Sequence, residues 1–242
     1  MLQRTQRVDL QGRAVENNVL LAIPEEEYQA LCPSLEFVAL AMHEVVQEPG
    51  HPIEFGYFLN CGLISLLVVT SDAKSVEVGM VGKEGFLSAP LALGLRHSPQ
   101  RAVVQVPSEG FRVRSKAWQD FLSFTPGLHQ LLCRYLLVQG MHIAQVAACN
   151  RLHEIEQRLA RWLLMSHDRI AADAFPVTHH LLAQMLGSGR PSVTVAAGAL
   201  QRAGIIEYTR GMVRILNRKA LENAACECYQ AIRRISMNNG TG

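Results

Sequence analysis

The chain has 242 residues, 49% of them hydrophobic and 18% charged, with a formal net charge of +2. This composition predicts a soluble globular protein with one large or two ordinary domains. The longest apolar runs, such as residues 63–69, are too short to cross a bilayer, and the polar N-terminus has no signal-peptide core. We therefore expect a cytoplasmic protein that has no membrane partner.

Charge is distributed unevenly along the chain. Residues 1–172 carry 15 basic and 17 acidic side chains, whereas residues 173–242 carry 8 basic and 4 acidic ones. A small basic module after an acidic one is typical of a domain that binds a large anion such as nucleic acid. An ordinary basic domain with no such partner would show the same charge.

The N-terminal half predicts a polar arm over 1–17 and a β-rich domain over 18–125. A short helix at residues 25–31 precedes apolar runs that alternate with turn signals from residue 43 to residue 114. Strands of four to eight residues at this spacing suggest an antiparallel sandwich or barrel. Turns are expected, among other places, at LNCG (59–62) and VPSEG (106–110).

A long helix and a connecting helix are predicted over 126–172. Approximate heptads in the first helix suggest that it pairs with a second copy through Leu128, Leu132, Tyr135, Gln139, His142 and Val146. A solitary helix that lies on the β-domain is the alternative. Residues 171–176 interrupt the helical pattern and indicate a domain boundary.

Residues 173–242 predict a helix-turn-helix followed by a β-hairpin. Thr178 is a suitable N-cap for a helix over 179–186, and residues 187–189 form a tight turn. A second helix then runs from about residue 189 to Arg202. Residues 205–216 read as two strands about Thr209-Arg210-Gly211, which is the wing of a winged helix-turn-helix.

The second helix has one apolar face and one exposed face. Val193, Ala196, Ala197 and Leu200 share a stripe that should be buried. The opposite face is small enough to approach the floor of a DNA major groove, where Arg190 can bind guanine through two hydrogen bonds. The other residues expected to contact DNA are Pro191, Ser192, Thr194 and Val195 on this helix, and Thr178, Arg202, Arg210 and Arg214 around it.

Three stretches, EPGHPIEFGYFLNCGLISLL, RLARWLLMSHDR and LGSGRPSVTVAAGALQRAGII with the hairpin after it, resemble the Crp/Fnr superfamily of bacterial transcription regulators. The resemblance extends from about Asn18 to Leu221. It implies an α+β fold with a jelly-roll-like double-stranded β-helix as effector domain, a dimerisation helix and a winged helix-turn-helix. It also implies a homodimer on palindromic double-stranded DNA, with half-sites roughly 34 Å apart, and contact with RNA polymerase.

The recognition helix departs from the family pattern. Well-known members begin this helix with Arg-Glu-Thr-Val and place another arginine soon after it. This chain has Arg190-Pro191-Ser192-Val193 and carries Val195 at the later position. Pro191 and Val195 offer only apolar contacts, so the family's half-site does not transfer. Base recognition is expected to depend on Arg190 and on DNA shape.

The effector region departs from the family as well. The matching residues are Glu84, Gly85, Phe86, Gln100 and Arg101. GKEGFLSAPLALG lacks the family's Gly-Glu pair before its helical part, and QRA places Gln100 where the family has its phosphate-binding arginine. A shift of one residue in a strand turns a side chain to the opposite face. Cyclic-nucleotide binding by the usual residues is therefore not expected, and the effector is unknown.

The sequence predicts no metal or cofactor. The six cysteines, Cys32, Cys61, Cys133, Cys149, Cys226 and Cys228, are expected to be reduced and mostly buried. Only two of them precede the long helix, too few for the N-terminal iron–sulfur cluster of oxygen-sensing family members. Cys226 and Cys228 are expected to point to different sides of a helix, and the nine histidines show no metal-ligand spacing. No catalytic motif indicates an enzyme.

These observations predict a homodimeric DNA-binding transcription regulator. The alternative is a small-molecule sensor or protein-interaction module of the same fold that has lost specific DNA recognition. Binding to random duplex DNA at several salt concentrations distinguishes the two, because phosphate contacts weaken steeply with salt.

Overall fold

The computed structural model describes residues 7–238, apart from the side chain of Gln119. The first six residues of the predicted arm and the last four of the predicted C-terminal domain lie outside this range. The fold is mixed α and β, as predicted. The strands are β1 (Glu36–Leu40), β2 (Val45–Gln47), β3 (Phe55–Val69), β4 (Ser75–Val81), β5 (Arg101–Arg114), β6 (Ala174–Pro176), β7 (Ile206–Thr209) and β8 (Met212–Ile215).

Helices cover the N-terminal sheet and build most of the C-terminal half. They are α1 (Asn18–Ala22), α2 (Glu25–Leu31), α3 (Ser115–Phe124), α4 (Pro126–Leu152), α5 (Ile155–Ile170), α6 (His179–Met185), α7 (Arg190–Arg202), α8 (Arg218–Ala224) and α9 (Cys228–Asn238). Among residues 7–238, none of these helices combines the length and apolar character that a bilayer crossing requires.

The N-terminal domain is built on an antiparallel five-stranded sheet. Its order is β1–β5–β3–β4, and β2 also pairs with β5. Among the described strands this sheet is open, so it does not form the closed barrel that was one of the two predicted arrangements. β1 and β4 do not pair with each other at the two ends of this order, so the hydrogen-bond ladder does not close.

Strands β3 and β5 are longer than predicted, because both continue through expected turns. β3 includes residues 59–62, and β5 includes residues 106–110. The pairing register shifts between Leu59 and Leu63, which marks bulges that absorb extra residues. Gly62 has a φ of +89° and lies so close to Ser108 that a Cβ would collide with it. Turn-forming residues here bend two continuous strands instead of ending them.

Helix α4 packs against the β-domain through its most apolar stripe. Leu128, Leu132 and Tyr135 are buried in a cluster with Phe86 and Trp118, whose rings stack at 4.9 Å between centroids. The N-terminal domain needs this apolar cover, and the stripe is therefore used within the chain. For this stripe, the structure agrees with the predicted alternative, in which the helix lies on the β-domain.

Most of the residues predicted for a dimer interface are buried within the chain. These are Leu128, Leu132, Tyr135 and Val146. Gln139 lines a small cavity of the β-domain. His142 lies 3.1 Å from the Ser236 hydroxyl of α9, and burial lowers the pKa of His142 to about 4.

The C-terminal half forms a winged helix-turn-helix that shares a core with the β-domain. Its small sheet has the order β6–β8–β7. Val193, Ala196, Ala197 and Leu200 are buried as predicted and pack in one hydrophobic cluster with α5. The same cluster contains Leu63, Leu67 and Met80 of the N-terminal sheet. The two halves of the molecule are thus in direct apolar contact.

A buried carboxylate lies at this contact. Glu77 of β4 accepts a hydrogen bond from Trp162 Nε1 of α5 at 2.8 Å and another from the Ser65 hydroxyl. Burial raises the pKa of Glu77 to about 7, against the opposing effect of these hydrogen bonds and of the positive charges of Arg161 and Arg169. A titratable group therefore connects the β-domain to the first helix of the C-terminal half.

Candidate nucleic-acid interface

Local capping sets the geometry of the helix-turn-helix. The Thr178 hydroxyl accepts a hydrogen bond from Leu181 N–H at 3.1 Å and caps α6, as predicted. Gly187, with a φ of +57°, turns the chain toward α7. Pro191 occupies the first turn of α7, where its missing N–H has no helical acceptor. Both helices agree with the prediction to within about one residue.

The start of α7 presents an exposed face of small and apolar side chains with one arginine. Arg190, Pro191, Ser192, Thr194 and Val195 are all exposed, and Val195 is 69% exposed. Within the described chain, salt bridges involve other arginines but not Arg190. Its guanidinium is therefore available to an external acceptor, and Val195 can make an apolar contact such as one to a thymine methyl.

Three further arginines surround α7. Arg202 ends the helix, and Arg210 lies at the tip of the β7–β8 wing, where Arg210 and Gly211 both have positive φ values. Two such residues in succession form the tight turn that suits a two-residue hairpin. Arg214 Nε lies 3.9 Å from Glu207 Oε2 in an exposed pair, which is a weak interaction. All three side chains remain accessible to a large anion.

His179 connects the two helices and the wing, a role that the sequence did not reveal. Its Nδ1 lies 3.0 Å from Thr194 Oγ1, and its ring is 4.3 Å from the Tyr208 ring. Burial and the nearby Arg190 lower the pKa of His179, which favours the neutral ring. Thr194 also donates to the Arg190 carbonyl at 3.0 Å. Thr194, predicted to contact DNA, is thus engaged within the protein.

A cleft of about 690 Å³ separates the start of α7 from the β3–β4 hairpin. Its walls include Lys74 and Val76 on the hairpin side and Gly187–Arg190 on the other. Gln184 of α6 donates a hydrogen bond to Ser75, and a Cβ on Gly187 would lie 3.0 Å from Val76. The β-domain therefore contacts the turn that orients the recognition helix.

The five predicted effector residues do not line a single cavity. Glu84 pairs with Arg169 of α5 at 2.8 Å, Gly85 packs against the Tyr135 ring, and Phe86 is fully buried. Arg101 is paired with Glu48 at 2.8 Å. Gln100 lines a cavity of about 20 Å³, which has room for about one water molecule.

The structure also corrects the expectation that no metal-ligand group is present. Cys149, His153, Cys226 and Cys228 lie together, with all four candidate ligand atoms within 4.8 Å of one another. Two features of the sequence could have indicated this group. The spacing of Cys149 and His153 places both side chains on one helical face, and Cys226 and Cys228 are only two residues apart. The two cysteines were assumed to lie in a helix, but α9 begins only at Cys228.

Comparison with protein families identifies the C-terminal module. The family model of the Crp-like helix-turn-helix domain matches residues 157–224. No curated protein sequence gave a significant match to the chain.

Solved structures with a similar fold include regulators described as members of the Crp or Crp/Fnr family. One from Eubacterium rectale has a TM-score of 0.67 at 12% identity, covering 84% of this chain and 94% of its own. One from Thermus thermophilus has a TM-score of 0.65 at 23% identity, and the match covers 78% of this chain and 96% of that structure. The c-di-GMP-responsive regulator CLP from Xanthomonas campestris has a TM-score of 0.65 at 15% identity, covering 79% and 99%.

The helix-turn-helix prediction is confirmed by the family match. The chain has the fold of solved Crp/Fnr-type regulators, and its residues 157–224 match the family model of the Crp-like helix-turn-helix domain.

Proposed function

We propose that this chain is a homodimeric transcription regulator that binds a palindromic DNA site with α7 in the major groove. The observation that carries this proposal is the exposed start of α7, where Arg190 has no ion-pair partner among the described residues and is followed by small and apolar side chains. Arg202, Arg210 and Arg214 surround the helix and, in this proposal, contact phosphates.

Recovery of genomic DNA fragments with the purified full chain tests this function and gives the operator sequence. On random duplex DNA, three phosphate-contacting arginines in each of two protomers give about six contacts and a slope of about −5 in log affinity against log salt. A chain that enriches no sequence and shows no salt-dependent binding would instead be the sensor or interaction module considered above.

A second stripe of α4 supports dimerisation in place of the predicted one. Exposed residues recur along the helix at spacings of three or four: Arg134, Leu137, Met141, Ala144, Ala148 and Leu152. Leu137 is 62% and Leu152 is 73% exposed. This is the heptad spacing through which two helices pack, and the small alanines would let them approach closely.

Introducing negative charge on this apolar stripe tests the dimer. We expect Leu137→Glu with Met141→Glu to weaken self-association by about 3 kcal/mol or more, on the order of 100-fold, because each protomer would bury unpaired carboxylates. Sedimentation equilibrium measures the effect. Phe124→Glu is the matched control, since Phe124 is 78% exposed and lies outside the stripe. Equal weakening by both changes would contradict this assignment.

The β-domain is expected to act on DNA binding through the contact of the β3–β4 hairpin with α6. An effector that alters this contact would shift the start of α7, which is a coupling between two sites. The nature of the effector is not fixed by the family fold, since the similar regulator from Xanthomonas campestris is described as responsive to c-di-GMP.

Cyclic mononucleotides are not expected to be that effector. cAMP or cGMP at millimolar concentration should leave the melting temperature unchanged, because the cavity beside Gln100 holds about 20 Å³ and Arg101 is paired with Glu48. Differential scanning fluorimetry measures this. A clear rise in melting temperature with either nucleotide would show that the pocket opens and that Gln100 does not prevent phosphate binding.

A further inference from the structure

Four side chains from distant parts of the sequence converge at the end of the long helix. Cys149 lies in the last turn of α4 and His153 directly follows that helix. Cys226 lies in the link between α8 and α9, and Cys228 is the first residue of α9. Cys149 Sγ lies 3.4 Å from Cys226 Sγ, and Cys228 Sγ lies 3.6 Å from His153 Nδ1.

The cluster of four side chains has the size of a tetrahedral metal site. Zinc bonds of about 2.3 Å to sulfur and about 2.0 Å to nitrogen place neighbouring ligand atoms roughly 3.5–3.8 Å apart. The four atoms here already lie within 4.8 Å of one another. The three sulfurs are nearly inaccessible to water, since Cys149, Cys226 and Cys228 are at most 4% exposed. Small side-chain adjustments are sufficient to complete the coordination.

We propose that Cys149, His153, Cys226 and Cys228 bind one Zn²⁺ ion that joins the end of α4 to the start of α9. Three thiolates and one imidazole form the soft donor set of structural zinc sites, which are closed to substrate and have four protein ligands. Binding displaces the thiol protons of the three cysteines to solvent.

The surroundings of the cluster match those of a metal-bound histidine. His153 Nε2 lies 3.1 Å from Glu227 Oε1, so a proton on Nε2 is held by the carboxylate and Nδ1 presents its lone pair to the sulfurs. A carboxylate behind a ligating histidine is a common arrangement in zinc proteins. Gln145 Nε2 donates to Cys228 Sγ at 3.0 Å, which supports a thiolate at that position.

Positive charge balances the site. Three thiolates around Zn²⁺ leave a net charge of −1, and the guanidinium groups of Arg158 and Arg161 both interact electrostatically with Cys149. The Nε atoms of these two arginines are buried without a hydrogen-bond partner in the described structure. An anionic metal centre beside them would offset part of the cost of burying their charge.

The proposed ion would fix the C-terminal segment against the helix that connects the two domains. α9 packs against α4 and α5. The four proposed ligands lie beside the turn between the end of α4 and the start of α5. An ion here would join residues about 75 positions apart in the sequence, and a cross-link over so long a loop restricts the unfolded chain strongly.

Metal analysis of the full chain, purified under reducing conditions without chelator, tests the proposal. We expect inductively coupled plasma mass spectrometry to find about one zinc ion per chain. After Co²⁺ replaces the zinc, tetrahedral cobalt–thiolate bonds should give intense visible absorption. Cys226→Ser and Cys228→Ser should lose the metal. Glu227→Gln should keep the fold and weaken zinc affinity about 10- to 100-fold, because it removes only the partner of His153.

Cys133→Ser is the control, because Cys133 lies on the same helix outside the cluster. This variant should retain zinc. Failure of the reduced, zinc-supplemented wild-type chain to bind metal would overturn the proposal, as would equal zinc loss in the Cys133 variant. Iron with acid-labile sulfide in the purified protein would show that these residues bind an iron–sulfur cluster in place of zinc. A Cys149–Cys226 disulfide trapped by alkylation in cells would show that the two cysteines form a redox-active pair and would also overturn the zinc proposal.

Discussion

Removal of the Arg190 side chain is expected to abolish sequence preference while leaving most non-specific DNA binding in place. A two-hydrogen-bond contact between arginine and guanine contributes about 1–3 kcal/mol of discrimination, so loss at both half-sites of a dimer lowers operator affinity on the order of 100-fold or more. Competition binding with the selected operator and with scrambled DNA measures the two affinities separately.

Arg190→Lys is the more informative variant. Lysine keeps the positive charge that attracts phosphates but lacks the planar pair of donors that matches guanine. It should therefore lose most of the operator preference and keep the salt dependence of the wild type. Arg96→Ala is the control for Arg190→Ala, because it removes one positive charge from an exposed loop of the β-domain. This change should alter neither the operator preference nor the affinity for scrambled DNA. If Arg190→Lys retained full operator preference, Arg190 would contact the DNA backbone and base recognition would lie elsewhere.

Glu77 is expected to make the stability of the protein fall as pH rises from about 4.5 to 7. Burial raises its pKa from 4.5 to about 7 in the folded chain. In this interval the unfolded state has lost the proton and the folded state still holds it, so raising the pH favours unfolding. A pKa difference of this size corresponds to about 3 kcal/mol of unfolding free energy, which is present at low pH and lost once Glu77 ionises in the folded state.

Chemical denaturation at a series of pH values, with Glu77→Gln beside the wild type, measures this effect. Glutamine can still accept the Trp162 Nε1 hydrogen bond and donate to Ser65, but it does not titrate. The wild type should lose about 3 kcal/mol more than the variant between pH 4.5 and 7. Glu26→Gln, which removes an exposed carboxylate, should follow the wild type. Parallel curves for the wild type and Glu77→Gln would mean that water reaches Glu77.

Local chemistry made the C-terminal module predictable. Thr178, Pro191 and Gly211 each act on the backbone within a few residues, so helix starts and the wing turn can be read from their positions. The buried stripe of α7 follows from its 3.6-residue period. These features agree with the structure because they depend on short-range sterics and hydrogen bonds, with little contribution from the rest of the chain.

The β-domain was less predictable because its strands depend on partners far away. Gly62 and Pro107 look like turn residues, but the long antiparallel pairing of β3 and β5 carries the chain through both positions. For the apolar stripe of α4 the sequence left two interpretations, a dimer surface and a face that lies on the β-domain, because a period shows that a helix face is buried and does not show what it packs against. In the structure, Leu132 packs in the cluster of the β-domain.

By itself, the sequence determined the order of the elements, the winged helix-turn-helix and the arginine that leads its second helix. Only the tertiary structure decided which stripe of α4 is left exposed, that His179 holds Thr194, and that Cys149 and His153 meet Cys226 and Cys228. The physical reason is the range of the interactions. Caps, turns and helical periodicity act over a few residues, whereas burial and ligand geometry are set by segments about 75 residues apart that chain folding brings together.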